Sequence, residues 1–309
     1  DLVSVATFFQ EDRQLEYYTS SSVIVVGLAW SLGLAYHGVT VAPYQQLREL
    51  ESIGATFADR QPGLMIEYSP YGARHFLRGM AAEGAGELRR RPALMTNGQQ
   101  LAKGAYADID EFTLGTIETY ETLVLRRSPR SSRPPANYAL QAGDANYEVW
   151  QKQPGLPIPA EHIPVGTVND AGGQLACEQT ARAASRATNG TRLVAAIAPE
   201  VVDVAIQEAQ LPTGWVRGEE GVPPGGAGSL AQKFTIATAG TYEVWIRGWS
   251  RGRTELSVDG TAVGRVSQMY NQSGWFTSVG AVEVTAGEHE LTLHYSAPWW
   301  LPGSGGATD

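Results

Sequence analysis

The stretch Thr241-Tyr-Glu-Val-Trp-Ile-Arg-Gly-Trp249, with the segments that follow it to Tyr295, decides the fold. Tyr242, Val244 and Ile246 fall on one face, and Glu243, Trp245, Arg247 and Trp249 on the other. A period of two marks a β-strand with one face in a core. Thr254-Glu-Leu-Ser-Val-Asp-Gly260 follows, with Leu256 and Val258 inward. Its Asp259-Gly260 pair suits a type I′ hairpin turn, which needs positive φ at both central residues. Ala281–Val284, a turn at Ala286-Gly287, and His289–Tyr295 complete the series. In the last segment Leu291, Leu293 and Tyr295 alternate with Glu290, Thr292 and His294. Short strands at this spacing predict an antiparallel β-sandwich.

The outward aromatic residues carry the functional reading. Trp245 and Trp249 share a face with Glu243 and Arg247, and Tyr270 and Trp275 sit in the polar loop 268–276. Sugar rings have apolar C–H faces and polar edges. Flat aromatic rings beside hydrogen-bonding side chains suit them, and Trp and Tyr tolerate a half-wet position. The candidate carbohydrate site is therefore Trp245, Arg247, Trp249, Tyr270, Asn271 and Trp275, with Gln272 and Glu243 as further hydrogen-bonding groups. The competing reading is that these rings cap the sandwich or pack on the preceding domain. The strand series, its Val-Asp-Gly hairpin and the Gly-Trp loop resemble the jelly-roll carbohydrate-binding modules of carbohydrate-active enzymes. Related modules often hold a structural calcium, but no acidic loop here is specific enough to assign one, and no cofactor is expected.

The chain has 309 residues and 43% hydrophobic residues, enough for two cores. Its formal net charge of -9 argues against a nucleic-acid partner. The single cysteine, Cys177, rules out a disulfide within the chain and reads as a buried residue of a small-residue helix face. Zinc-ligand spacing, a phosphate-binding loop and a nucleophile elbow are all missing. Two domains joined by a linker are expected: an α/β domain over 1–152, a linker with a helix over 153–190, and a carbohydrate-binding-module-like β-sandwich over 191–309.

Within the first domain, residues 17–47 carry no Asp, Glu, Lys or Arg. The apolar centre, 23–36, is short for a membrane span and is read as a buried helix or strand; a membrane helix over 23–41 is the alternative. The N-terminal residues have no basic region before an apolar run and do not read as a secretory signal. Pro43–Phe57 is an amphipathic helix, with Leu47, Leu50, Ile53 and Phe57 on one face. Gly63–Tyr68 reads as a buried strand and Ser69-Pro70 as the start of a second helix. Ligands in α/β sheets gather at strand ends, which makes Glu67, Tyr71, Arg74 and His75 secondary candidates. A structural Glu67–Arg74 pair is the plainer alternative. Asp108-Ile-Asp-Glu111 could supply paired carboxylates for glycoside hydrolysis, although neighbours this close more often cap a helix. Thr119–Leu125 and Tyr147–Trp150 read as strands, residues 126–138 as a basic, proline-rich loop, and Arg192–Ile197 and Val201–Ile206 as strands opening the sandwich.

A second resemblance rests on ordered motifs: Leu34-Ala-Tyr-His37, Leu64-Met-Ile-Glu-Tyr68 with Pro70-Tyr-Gly72, His75-Phe-Leu-Arg78, Tyr106-Ala-Asp-Ile-Asp110, Leu123-Val-Leu-Arg-Arg-Ser-Pro129 and Tyr147-Glu-Val-Trp150. Together they resemble the outer C-terminal portion of large actinobacterial multi-spanning membrane proteins regarded as glycosyltransferases. That resemblance implies an extracytoplasmic, membrane-associated location. It also implies a partner membrane domain and a cell-envelope glycan as ligand, with no transferase centre in this chain. Two other functions stay open: a glycan-active enzyme using Glu67, Asp108 or Asp110, and a purely structural module. Trp299 and Trp300 either seal the sandwich against the first domain, as the latter requires, or extend a sugar platform.

Overall fold

A computed structural model describes residues 18–36, 44–66, 72–84, 90–102, 107–129, 132–163, 177–188, 190–195, 200–218, 221–248, 252–267 and 276–296. The first element, α1 (Tyr18–Tyr36), is a helix of 19 residues whose apolar window is 0% buried. Val23 and Leu32 are 71% and 69% exposed. The expectation of a buried segment is thus corrected: the run is helical and stands clear of both cores. Apolar sequence reports a preference for leaving water and is silent on what takes water's place.

The first core is built on a mixed sheet. Its strands are β1 (Gly63–Met65), β2 (Glu83–Gly84), β3 (Thr122–Arg126), β4 (Tyr138–Gly143) and β5 (Tyr147–Lys152), in the order β2-β1-β3-β5-β4. β1 runs parallel to β2 and β3; β3, β5 and β4 pair antiparallel. The central strand β3 is buried on both faces. Leu123 and Leu125 point into a layer with Ile109, Phe112, Tyr120 and Trp150. Val124 points the other way, toward Leu50 and Ile53 of α2 (Tyr44–Thr56). At Gly54 of α2 an added Cβ would overlap the Phe76 carbonyl, so the helix lies directly on the π-helical turn Gly72–Phe76. Two buried carboxylates tie loops to this frame. Glu49 accepts from the backbone N–H groups of Asn146 and Tyr147. Glu83 accepts from the backbone of Arg90 and Arg91, the Arg91 guanidinium and the Tyr120 hydroxyl.

Between the sheets the chain departs from expectation. After α3 (Leu114–Ile117), the next helix is α4 (Cys177–Arg186), which buries no residue, and Cys177 is exposed. Of the anticipated small-residue face, Cys177, Ala181 and Ala184 are not buried, and Leu175 and Ala176 lie outside the described residues. Residues 192–195 and 201–205 form no strand. Val204 and Ile206 lend side chains to the second core without joining a hydrogen-bonded ladder.

Six antiparallel strands enclose that second core: β6 (Gly228–Ile236), β7 (Gly240–Arg247), β8 (Arg253–Val258), β9 (Thr261–Ser267), β10 (Phe276–Val284) and β11 (Gly287–Ser296). They form a four-stranded sheet, β6-β11-β8-β9, and a two-stranded sheet, β10-β7. Leu256, Val258 and Leu291 of the larger sheet meet Val244, Ile246, Val279 and Val282 of the smaller one. Asp259 and Gly260 have φ of 49° and 76°, as the type I′ turn requires. The Asp259 carboxylate then binds His289 Nδ1 at 2.6 Å and the Glu290 N–H at 2.9 Å, fixing the hairpin to β11.

The two sheets approach closely where β9 passes β10. A Cβ at Gly264 would overlap the Val279 carbonyl, and one at Gly280 would lie 2.6 Å from the Val263 carbonyl. Replacing Gly264 by valine is expected to cost about 1–3 kcal/mol through forced backbone displacement. The loss should appear as a lower urea midpoint at unchanged slope. Gly115→Ala, at a site with nothing within 4 Å, should leave the midpoint nearly in place.

Candidate functional site

Strand alternation places Glu243, Trp245 and Arg247 on the side of β7 turned away from the core. Register brings Ser278 of β10 opposite Trp245 and Phe276 opposite Arg247. Five side chains therefore share the outer face of the small sheet. Trp245 is half-buried, Arg247 is exposed, and the Arg247 guanidinium lies 5.9 Å from the centroid of the Phe276 ring. The Ser278 hydroxyl donates to Glu243 Oε1 at 2.7 Å.

The first domain reaches this face at the end of β3. Arg127 pairs with Glu243 at 3.0 Å and stacks its guanidinium 5.2 Å from the centroid of the Trp245 ring. A second donor of Arg127 binds the Asp144 carbonyl at 3.2 Å, and Arg126 donates to the Phe276 carbonyl at 3.4 Å. An indole free in water was expected at position 245. Instead a guanidinium of the other domain lies over it. The site is a joint, with one wall from each domain. Arginine suits this place because its planar group can stack on an indole while its edge donors bind a carboxylate.

Trp245 and Arg247 are thus brought together as strand periodicity required. Trp249, Tyr270, Asn271, Gln272, Trp275, Trp299 and Trp300 lie outside the described residues, as do Glu67 and Tyr71. Arg74 and His75 are exposed on the π-helical turn Gly72–Phe76 of the first domain, and the His75 ring meets Phe76 edge-on at 4.9 Å. Arg126 and Arg127 were missed as site residues. The signal was the basic run beginning at Arg126, which reads locally as a solvated loop.

The acidic group Asp108–Glu111 sits elsewhere and is structural. Asp108 caps the short helix Ile109–Glu111: its carboxylate accepts from the Asp110 N–H at 2.9 Å while Glu111 accepts from the Asp108 N–H at 2.7 Å. Asp110 contacts His162 Nε2 at 2.8 Å, which holds the segment after β5 against the first domain. Both aspartates are 6% exposed, so neither flanks an open cleft. Among the described residues no group of three or more His, Cys, Asp or Glu could hold a metal ion.

Burial pushes the Asp108 carboxyl up to about 6, against the lowering effects of the Ser132 hydrogen bond and the Asp110 backbone. An acid whose folded pKa exceeds its unfolded value binds more protons when folded. Stability therefore falls as pH rises from about 4 to 6, by on the order of 3 kcal/mol. Asp108→Asn keeps an acceptor for the Asp110 N–H and removes the charge. Denaturation at several pH values should show the wild type losing stability relative to this variant across that window; a constant difference would contradict the assignment.

No protein-family model matches the chain, and no curated protein matches it. Among solved structures it is similar to a family 35 carbohydrate binding module from an environmental isolate, at 18% identity and a TM-score of 0.21, over 31% of this chain and 71% of that one. It is also similar to the Podospora anserina GH26-CBM35 β-(1,4)-mannanase, at 23% identity and a TM-score of 0.20, over 32% of this chain and 25% of the other. A third similarity, to the Phanerochaete chrysosporium exo-β-1,3-galactanase, has 16% identity and a TM-score of 0.28, over 54% of this chain and 41% of that one. The chain spans less than half the length of the two enzymes. At these scores the likeness says nothing about ligand or chemistry.

Proposed function

We propose that the chain is a non-catalytic, glycan-binding portion of a membrane-associated system. Its second module is a jelly-roll whose small sheet offers Trp245, Arg247 and Glu243 to a saccharide. The observation that carries this is the half-exposed indole of Trp245, flanked by polar side chains on an outward sheet face. The remaining candidates Trp249, Tyr270, Asn271 and Trp275 extend the same site in this reading. The ligand is a cell-envelope glycan, and the partner is the membrane domain of a glycosyltransferase acting on envelope polysaccharide. The resemblance in the ordered motifs of the first domain supports that context.

Helix α1 supports membrane attachment. Nineteen residues rise about 28 Å, close to the thickness of a bilayer's hydrocarbon core. Tyr18 and Tyr36 stand at its ends, at the depth where aromatic side chains favour the interface. Of the acids of the enzyme reading, Asp108 serves as a cap and Asp110 faces His162, while Glu67 lies outside the described residues. The contacts between the domains favour the structural reading: the Arg127–Glu243 pair, Arg127 over Trp245 and Arg126 on the Phe276 carbonyl.

Stacking on one indole contributes on the order of 1 kcal/mol, so affinity for a single saccharide should be micromolar to millimolar, roughly 4–8 kcal/mol. Titration of the full chain against envelope oligosaccharides should show binding that weakens about fivefold in Trp245→Ala. Binding that is indifferent to that substitution would remove Trp245 from the site. For α1, the chain should float with phospholipid vesicles. Val25→Lys with Leu28→Lys, each charge costing about 3 kcal/mol at a helix centre, should abolish flotation without unfolding either core. Flotation that survives both charges would contradict a membrane-inserted α1.

A further inference from the structure

Strand β11 sends Leu291, Leu293 and Tyr295 into the second core, and alternation puts His289 on the same inward side. An ionisable ring at a core position needs partners, because burial penalises polar atoms left unbonded. His289 is 8% exposed and has a partner at each nitrogen. Nδ1 lies 2.6 Å from Asp259 Oδ2, and Nε2 lies 2.8 Å from the Thr285 carbonyl oxygen. A carbonyl oxygen only accepts, so Nε2 carries a proton. The short contact at Nδ1 also holds a proton, and imidazole is a stronger base than a carboxylate. Both ring nitrogens therefore donate, which only the imidazolium form can do.

We infer that His289 is a proton-operated clamp at the turn end of the second module: as imidazolium it ties the β8–β9 turn to the crossing from β10 to β11, and on losing its proton it lets that crossing go. The two partners belong to different parts of the sandwich. Asp259 stands in a turn of the larger sheet and also accepts from the Glu290 N–H, so it stays attached to β11 without the ring. Thr285 follows Val284, the last residue of β10 in the smaller sheet, and stands two residues before Gly287, where β11 begins in the larger one. The Phe234 ring of β6 packs against the imidazole, with centroids 5.8 Å apart. Glu288 and Glu290 flank His289 in sequence and are exposed, and Glu288 pairs with Lys233 of β6 at 2.8 Å. The charge bonded to the ring is that of Asp259. A neutral ring has one N–H. Its bond to a carboxylate is the stronger of the two, so the proton kept is the one at Nδ1, and the Thr285 carbonyl is left facing a lone pair.

The Asp259 carboxylate, and after it the Thr285 carbonyl, raise the pKa of His289 above its ordinary value of 6.5, against the opposing effect of burial. A group whose folded pKa is raised contributes its stability in full below the unfolded value and loses it as pH rises through the folded one. The clamp is closed in acid and opens above the ordinary histidine range. It lies apart from the joint with the first domain. Register sets Val284 beside Gly240 at the clamp end of β10 and β7, and Phe276 beside Arg247 at the joint end. The inference therefore stands independently of the glycan reading.

The test is an NMR pH titration of the full chain, with the His289 ring assigned through its own backbone. The ring midpoint should lie above 6.5. The amide signals of Ala286 and Gly287 should shift with that same midpoint while the Gly260 amide holds still. Asp259→Asn keeps an acceptor for the Glu290 N–H, suits the φ of 49° at that position, and should lower the ring midpoint. A His289 ring that titrates at or below 6.5, or whose midpoint is unchanged in Asp259→Asn, overturns the imidazolium. A Gly287 amide that ignores the ring's titration, or a Gly260 amide that follows it instead, overturns release at Thr285. The wild-type titration needs no substitution, so it decides the matter even where Asp259→Asn does not fold.

Discussion

The Arg127 side chain ties the mixed sheet to the small antiparallel one. It leaves the end of β3 and stacks on the indole of Trp245, with its donors on Glu243 and on the Asp144 carbonyl. Each contact alone is modest, since a half-exposed ion pair contributes about 1 kcal/mol or less. Their combination is directional. The stack sets the plane, the carboxylate sets the rotation, and the carbonyl anchors the base. With Arg126 on the Phe276 carbonyl, this aligns the edge of a mixed sheet with the outer face of an antiparallel one. The same contacts decide how much of the indole water can reach.

Much of the second module was legible from sequence. Leu256, Val258, Leu291, Leu293 and Tyr295 alternate as strands with one buried face must, and all are buried. Asp259-Gly260 marks its turn by chemistry that few residues tolerate. Helix α2 was equally plain, because its apolar positions recur with helical period. The acids at 108–111 were also readable, since an Asp followed three residues later by Glu is a capping box. These features are local, and local physics writes itself in adjacent residues.

What escaped the sequence is long-range. Arg127 and Glu243 are 116 residues apart, and no spacing rule connects them. A basic run followed by prolines reads as solvated loop until a partner sheet is placed beside it. The same holds for α1. Apolar composition predicted burial, yet the helix stands outside both cores, because the number of apolar residues does not reveal whether protein or lipid receives them. Val201–Ile206 shows the reverse error. Its β-branched residues favour a strand, but a strand also needs an edge to pair with, and here the side chains were taken into the core without one.

The most direct measurement follows the indole N–H resonance of Trp245 by NMR while saccharide is added to the full chain. The account expects a saturable shift of that resonance, with a different limiting shift in Arg127→Ala, where the guanidinium no longer lies over the ring. A Trp245 resonance that stays fixed while saccharide binds, or one indifferent to Arg127, would contradict a site built at the joint.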